Sequence, residues 1–211
     1  MKKFFPYLFL SIAILQLIGL YYDSSLRIIT KPFIMISLAA FYFAYAKDFK
    51  ITFFTALVAA LLGDIFLMWE GELFFMLGLF SFLVMQVLYS LEFFSQKDSI
   101  DVLDKVGAGT MVLIAAAMIY YLVPKVDGVL IGAIPIYSLC IMVMVVTAVW
   151  RNRAHWSYIP VLCGALLFFI SDSLIAMDRF ATPFEHSYFI IMTTYMAAQF
   201  FIVMGIADAV K

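Results

Sequence analysis

Two aspartates stand inside apolar segments, where ionisable side chains are rare. Asp64 follows Gly63 in a run of aliphatic and aromatic residues, and Asp172 follows Ser171 in another. An ionisable group inside a membrane-spanning helix costs about 2.5–3.5 kcal/mol on insertion scales, so such groups usually serve a function. Two carboxylates held together at low dielectric constant cannot both ionise easily, which favours one protonated acid beside one carboxylate. The pair therefore predicts general acid–base chemistry if the fold brings the side chains together.

The surroundings of the two aspartates match. Each follows a small residue, and each is followed six positions later by another acid, Glu70 or Asp178. The next helix of each half carries an amide, Gln86 or Gln199. Such a match suggests two parallel four-helix repeats, which would bring the aspartates towards each other. The ordinary alternative is that each aspartate only bonds to a neighbouring group and fixes helix packing.

Further polar residues are candidates for binding a substrate near these acids. Lys31, before Pro32 at the outer mouth of the second helix, could hold an anionic head group or simply extend to the membrane surface. Two pairs each share a helix face: Gln86 with Tyr89, three residues apart, and Tyr195 with Gln199, four residues apart. For these pairs, interhelical hydrogen bonding is favoured over substrate contact. The candidate substrate-binding residues are Lys31, Gln86, Tyr89, Ser171, Tyr195 and Gln199.

The composition indicates which elements must position these residues. The chain has 211 residues, of which 66% are hydrophobic and 13% charged, whereas soluble domains are near half apolar and about 25% charged. This apolar composition excludes a soluble enzyme, a disordered chain and a nucleic-acid-binding protein. We expect a single all-α domain, residues 1–211, a polytopic membrane protein with eight transmembrane helices. The predicted spans are 4–22, 32–46, 51–69, 73–93, 106–123, 129–150, 156–177 and 184–207, the second being short and the longest connection being 95–105.

Lysine and arginine residues predict the orientation of the helices. With the N-terminus inside, nine basic residues fall on the cytoplasmic side and four, Arg27, Lys31, Lys125 and Arg179, on the other. This bias places both termini in the cytoplasm, in what we expect to be the cytoplasmic membrane of a bacterium. From the rise of a helix, Asp64 should lie about 7–8 Å below Trp69 and Asp172 about 9 Å below Asp178. Both acids are therefore expected in the same outer layer.

The remaining chemistry-bearing residues predict no further site. Cys140 and Cys163 lie in apolar runs and are expected to be small core residues. With only His155 and His186, which are far apart, they do not predict a zinc site. Glu92 is expected to be solvated near the cytoplasmic end of its helix. We expect no metal site of this kind and no organic cofactor; a metal bound by carboxylates stays open.

At these residues the chain resembles the YhhN family of eight-span membrane proteins, whose characterised members are lysoplasmalogenases. The matching pieces are residues 31–32, 63–68, 78–82, 171–176 and 195–199, together with Tyr89. The resemblance implies that Asp64 and Asp172 are the catalytic pair. The chain departs from the family at Gln86, where many members carry a histidine, so a titratable group is missing there.

The resemblance further implies a membrane-embedded hydrolase. A lysoplasmalogenase cleaves the sn-1 vinyl ether bond of a lysoplasmalogen and releases a fatty aldehyde and a glycerophospho-base. The implied partners are a lysophospholipid substrate and the lipid bilayer. One alternative is a proton- or cation-coupled transporter, for which helices broken at mid-bilayer would be typical. Another is a non-catalytic lipid-binding or scaffold protein, in which the two aspartates could lie far apart. The oligomeric state, the head group and the assignment of acid and base stay open.

Overall fold

A computed structural model describes residues 4–22 and 25–207 of the chain. In this part the chain is all-helical and contains no β-sheet. Seven helices are long and apolar enough to span a membrane, and α3 is a shorter apolar helix of 16 residues. The helices are α1 (Phe4–Tyr21), α2 (Leu26–Tyr45), α3 (Ile51–Phe66), α4 (Glu72–Ser95), α5 (Val102–Leu122), α6 (Leu130–Val149), α7 (Tyr158–Phe180) and α8 (Ser187–Ala207), with a short 3₁₀ helix at Val123–Lys125. The prediction of an all-α polytopic membrane protein is confirmed.

The second and third helices differ from the predicted spans. Helix α2 begins at Leu26 and contains Pro32, so it is not short, and Lys31 lies within it. The short helix is α3, because it ends at Phe66 and the next residues form a tight turn in which the Trp69 amide bonds to the Phe66 carbonyl at 3.1 Å. Asp64 is thus close to the end of its helix, and its depth cannot be counted along a helix reaching Trp69.

The connection between α4 and α5 is shorter than predicted because Asp101 caps α5. The Asp101 carboxylate accepts a hydrogen bond from the Asp104 amide at 2.9 Å, and the Asp104 carboxylate accepts one from the Asp101 amide at 2.9 Å. This reciprocal capping box starts the helix at Val102. The longest connection in the described ranges is instead 150–157.

Glu92 and Cys163 also differ from expectation. Glu92 is only 4% exposed and lies 2.9 Å from the Lys50 ammonium and 2.6 Å from the Gln96 amide, which together replace its solvent. Nearby, Arg151 donates to the Gln96 side chain at 2.6 Å, and burial lowers the pKa of Arg151 to about 10. Cys163 lies exposed on α7 rather than in the core, whereas Cys140 is half-buried.

Small residues allow the closest helix pairs to form. A Cβ atom at Gly63 of α3 would come within 2.8 Å of the Phe82 ring of α4. At Gly164 of α7 it would come within 2.8 Å of the Ala198 carbonyl oxygen of α8. Each glycine therefore permits a close approach of neighbouring helices, as in other membrane proteins. The two resulting hairpins, α3–α4 and α7–α8, are the elements that carry Asp64 and Asp172.

The packing order is compatible with the suggested repeat. Helix α4 of the first half packs on α6 of the second, and α8 of the second half packs on α2 of the first. The orientation in the membrane stays a prediction. Three of the basic residues that support it, Lys2, Lys3 and Lys211, lie outside the described residues.

Candidate active site

Asp64 and Asp172 border the same cavity at one end of the helix bundle. The cavity has a volume of about 210 Å³ and receives side chains from α2, α3, α4, α7 and α8. Asp64 is 2% exposed, on the last turn of α3. Asp172 lies in the middle of α7, next to the fully buried Ser171. The fold therefore brings the two sequence-predicted acids to one cavity, although they are 108 positions apart in the chain (172 − 64 = 108).

Asp64 has a hydroxyl donor and shares the cavity with a cation. The Tyr195 hydroxyl of α8 donates a hydrogen bond to Asp64 Oδ2 at 2.7 Å. Lys31 of α2 lines the same cavity and acts electrostatically on Asp64. The Tyr195 ring is fixed in turn by the Phe82 ring, whose centroid is 5.9 Å away at an interplanar angle of 82°. This edge-to-face contact holds the hydroxyl donor in place.

Asp172 has two neutral donors. The Tyr137 hydroxyl of α6 donates to Asp172 Oδ2. The Gln86 amide nitrogen of α4 donates to the same oxygen at 3.3 Å. Gln86 is fully buried, and its own carbonyl oxygen has no hydrogen-bond partner among the described residues. The surroundings of the two acids therefore differ: a lysine shares the space around Asp64, whereas neutral groups hold Asp172.

The structure places the predicted substrate-binding residues in two groups. Lys31, Ser171 and Tyr195 line the cavity, and Gln86 contacts one of its acids. The Ser171 hydroxyl also donates to the Ile191 carbonyl at 3.1 Å and so ties α7 to α8.

Tyr89 and Gln199 form the second group, which is not part of the cavity lining. Both are fully buried, and the Tyr89 hydroxyl donates to Gln199 Oε1 at 2.7 Å. The Gln199 amide donates to the Met85 sulfur at 3.3 Å. Their observed contacts are the interhelical hydrogen bonds that the sequence favours for them.

Three residues at the site were not singled out as candidates from the sequence. Tyr137 contacts Asp172, and Asp178 and Arg179 line the cavity. The Arg179 guanidinium lies 3.7 Å from the centroid of the Phe75 ring, a cation–π contact that holds it at the cavity. Arg179 was counted only as a loop charge. Tyr137 gave no signal beyond a hydroxyl within an apolar helix.

A second, apolar cavity adjoins the first. It has a volume of about 80 Å³ and lies between α4, α5, α6 and α7. The residues that border both cavities are Leu67, Phe75, Phe82, Asp172 and Ile175. Asp172 thus lies where a cavity with several charged groups meets one lined mainly by aliphatic and aromatic side chains. Among the described residues, no group of three or more histidine, cysteine, aspartate or glutamate side chains could hold a metal ion.

Comparison with known proteins identifies related chains. Lysoplasmalogenase TMEM86A of Bos taurus is 30% identical over 166 residues, which cover 74% of this chain and 65% of that protein. Lysoplasmalogenase TMEM86B of Homo sapiens is 33% identical over 154 residues, which cover 71% of this chain and 61% of that protein. The matched region thus spans less than two thirds of the length of these relatives. No solved structure matches the chain.

The family profile covers more of the chain than these pairwise matches. The profile of the YhhN family matches residues 26–206. This range begins with α2 and reaches the last turn of α8, so it includes both aspartates and every residue described at the cavity. The chain belongs to the YhhN family.

Proposed function

We propose that the protein is a membrane-embedded hydrolase that cleaves the sn-1 vinyl ether bond of lysoplasmalogens. The observation that carries the proposal is the cavity bordered by both Asp64 and Asp172. Relatives named lysoplasmalogenase support the choice of substrate. The products would be a fatty aldehyde and a glycerophospho-base.

The chemistry of a vinyl ether requires an acid and a base. Proton transfer to the alkene carbon that is not bonded to oxygen turns the other carbon into an oxocarbenium ion. Water adds to that carbon and loses a proton, which gives a hemiacetal. The hemiacetal collapses by breaking the bond to the glycerol oxygen, which takes up a proton while the aldehyde forms. A protonated carboxyl and a carboxylate supply these transfers, as two carboxyl groups do at the oxocarbenium ion of glycosidases.

We assign the acid role to Asp172 and the base role to Asp64. Asp172 is held only by the neutral donors Tyr137 and Gln86, which both bond to Oδ2, so Oδ1 is free to carry a proton. Asp64 accepts from Tyr195, and the charge of Lys31 acts on Asp64, which favours its carboxylate form more than neutral donors alone would. In this arrangement Asp64 stabilises the oxocarbenium ion and deprotonates the attacking water.

The remaining charges suit the polar end of the substrate. Lys31 and Arg179 line the larger cavity and can bind a phosphate group by charge and hydrogen bonding. The vinyl ether joins the head group to the aliphatic chain. In the proposed complex it lies at Asp172, where the two cavities meet.

Aldehyde release from purified protein in liposomes tests the function. With 1-alkenyl lysophosphatidylethanolamine as substrate, Asp64→Asn and Asp172→Asn should each reduce kcat about a hundredfold or more, the usual contribution of a general acid or base. Asp127→Asn is the matched control, because Asp127 is exposed in the connection before α6. Thermal unfolding checks that each variant is folded. Near-normal turnover by either folded Asp→Asn variant would refute the assignment of the pair.

The same preparation separates hydrolysis from transport and from simple lipid binding. Helix α7 runs unbroken through Asp172, and α3 runs unbroken until it ends two residues after Asp64, whereas a carrier would favour helices broken at mid-bilayer. Uptake of a lysolipid into proteoliposomes without aldehyde formation would support a carrier. Lipid binding that both Asp→Asn variants retain, again without aldehyde, would support a scaffold protein.

A further inference from the structure

Two of the four helices around the apolar cavity beside Asp172, α5 and α6, each line it with one face. On α5, Ala115, Met118 and Leu122 line it at spacings of three and four residues, which places them on one face. On α6, Ile134 and Ile141 line it at a spacing of seven, again on one face. The cavity therefore extends along the axes of these two helices.

Helix α5 closes this cavity from the outside. Its buried residues are Asp104, Ala115 and Leu122, and the last two line the cavity. Leu113 and Tyr120 on other faces are 72% and 85% exposed. A helix with so little buried surface separates the cavity from the surrounding lipid by a single layer.

We propose, on the basis of the hydrolase function above, that this cavity binds the part of the substrate's aliphatic chain next to the vinyl ether. Two observations carry the proposal: the cavity shares five lining residues with the one that holds the charged groups, and Asp172 is one of the five. A volume of about 80 Å³ is far smaller than a long alkyl chain. The cavity therefore takes the first methylene groups, and the rest of the chain extends past α5 into the bilayer.

Ala115 limits the bulk that this cavity accepts. Its methyl group is 2% exposed and lines the cavity, so a larger side chain there would occupy the space of the substrate chain. The neighbouring Ala116 is exposed on the outer surface of α5. The two alanines thus form a matched pair in which the same substitution fills the cavity in one case and meets lipid in the other.

The test compares two substrates on each variant. The substrates are lysophosphatidylethanolamines with a hexadecenyl or a propenyl group, of which the propenyl group would place only one methyl group in the cavity. Ala115→Leu should lower the ratio of kcat/KM for hexadecenyl over propenyl about tenfold or more, as expected when a methylene-sized group is excluded from an apolar pocket. Ala116→Leu should leave the ratio within about twofold of the parent. Because both rates come from one sample, the ratio does not depend on the folded fraction.

A second variant covers the case in which Ala115→Leu is inactive on both substrates. Ile134→Ala widens the cavity and should raise kcat/KM for an alkenyl chain branched near the vinyl ether relative to a straight chain, by about tenfold. A parent protein that cleaves neither substrate would overturn the hydrolase and the chain site together. If the parent cleaves both, but Ala115→Leu and Ile134→Ala leave their ratios unchanged, only the chain site is overturned. An equal effect of Ala116→Leu would also overturn it.

Discussion

Removing the Tyr195 hydroxyl should impair catalysis without disturbing the packing of the site. Tyr195→Phe keeps the ring, which contacts the rings of Phe82 and Phe168 at centroid distances of 5.9 and 6.1 Å. It deletes only the donor that lies 2.7 Å from Asp64 Oδ2. Asp64 would then have to act as a buried carboxylate without that hydrogen bond.

The size of the effect follows from the type of hydrogen bond. A bond to a charged acceptor contributes about 1.5–3 kcal/mol, and each 1.36 kcal/mol corresponds to a tenfold change in rate. Because this hydrogen bond stabilises only the carboxylate form of Asp64, Tyr195→Phe should shift Asp64 towards its unreactive protonated form and lower kcat by up to about ten- to a hundredfold. The expected loss is smaller than for Asp64→Asn, because the carboxylate itself remains.

Aldehyde release in liposomes measures this effect, with Tyr89→Phe as the matched control. Tyr89 is also a fully buried tyrosine whose hydroxyl donates at 2.7 Å, but its acceptor is Gln199 and not an acid of the cavity. Tyr89→Phe should lower thermal stability and leave kcat within a few-fold of the parent. The reasoning is refuted if folded Tyr195→Phe keeps the parental kcat, or if Tyr89→Phe loses as much activity.

Three further predictions concern the charge in the cavity, the helix contact and the cap of α5. Lys31→Met should lower kcat/KM about tenfold or more with a rise in KM, because a hydrogen bond to a charged phosphate contributes about 1.5–3 kcal/mol. Lys31→Arg should restore part of the loss, as measured by steady-state kinetics. Gly164→Ala should destabilise the protein by about 1–3 kcal/mol, because its Cβ would meet backbone atoms of α8 at 2.8 and 2.9 Å. The control is Gly109→Ala, where nothing lies within 4 Å of the added Cβ. This control should not lower the unfolding temperature measured in detergent. The Asp104 backbone amide, with Arg153, holds the pKa of Asp101 below its ordinary value. The Asp101 carboxylate therefore contributes stability above about pH 4, and this stability is lost as the pH falls through the folded pKa. Acid unfolding of Asp101→Asn should accordingly show a shallower pH dependence than that of the parent.

The helices and the acid pair were predictable because each depends on local pattern. A membrane span is recognised by the length of its apolar run, and all eight described helices fall on predicted runs. The aspartates could be recognised because each is a charged residue inside an otherwise apolar segment. The ends of helices were less predictable, since they depend on contacts such as the Asp101–Asp104 capping box, which extends α5 by four residues beyond the predicted start at residue 106 (106 − 102 = 4).

The partners of the acids depend on tertiary structure and were largely out of reach. Tyrosine is an ordinary residue in a membrane helix, so nothing in the sequence pairs Tyr137 with Asp172 across 35 positions. The prediction that Glu92 is solvated was wrong because it, too, depends on tertiary contacts. An acid near the end of a helix is usually solvated, but Lys50 from a different helix end replaces the solvent here.

The isotope content of the aldehyde tests the central claim, that an aspartate pair hydrolyses the vinyl ether by proton transfer to carbon. The parent protein would be incubated with lysoplasmalogen in D₂O, and the aldehyde reduced at once to the alcohol to prevent later exchange. The account predicts one deuterium on the carbon next to the former carbonyl carbon, and no such product from Asp172→Asn. Aldehyde without deuterium at that carbon, or labelled aldehyde formed at the parental rate by Asp172→Asn, would contradict it.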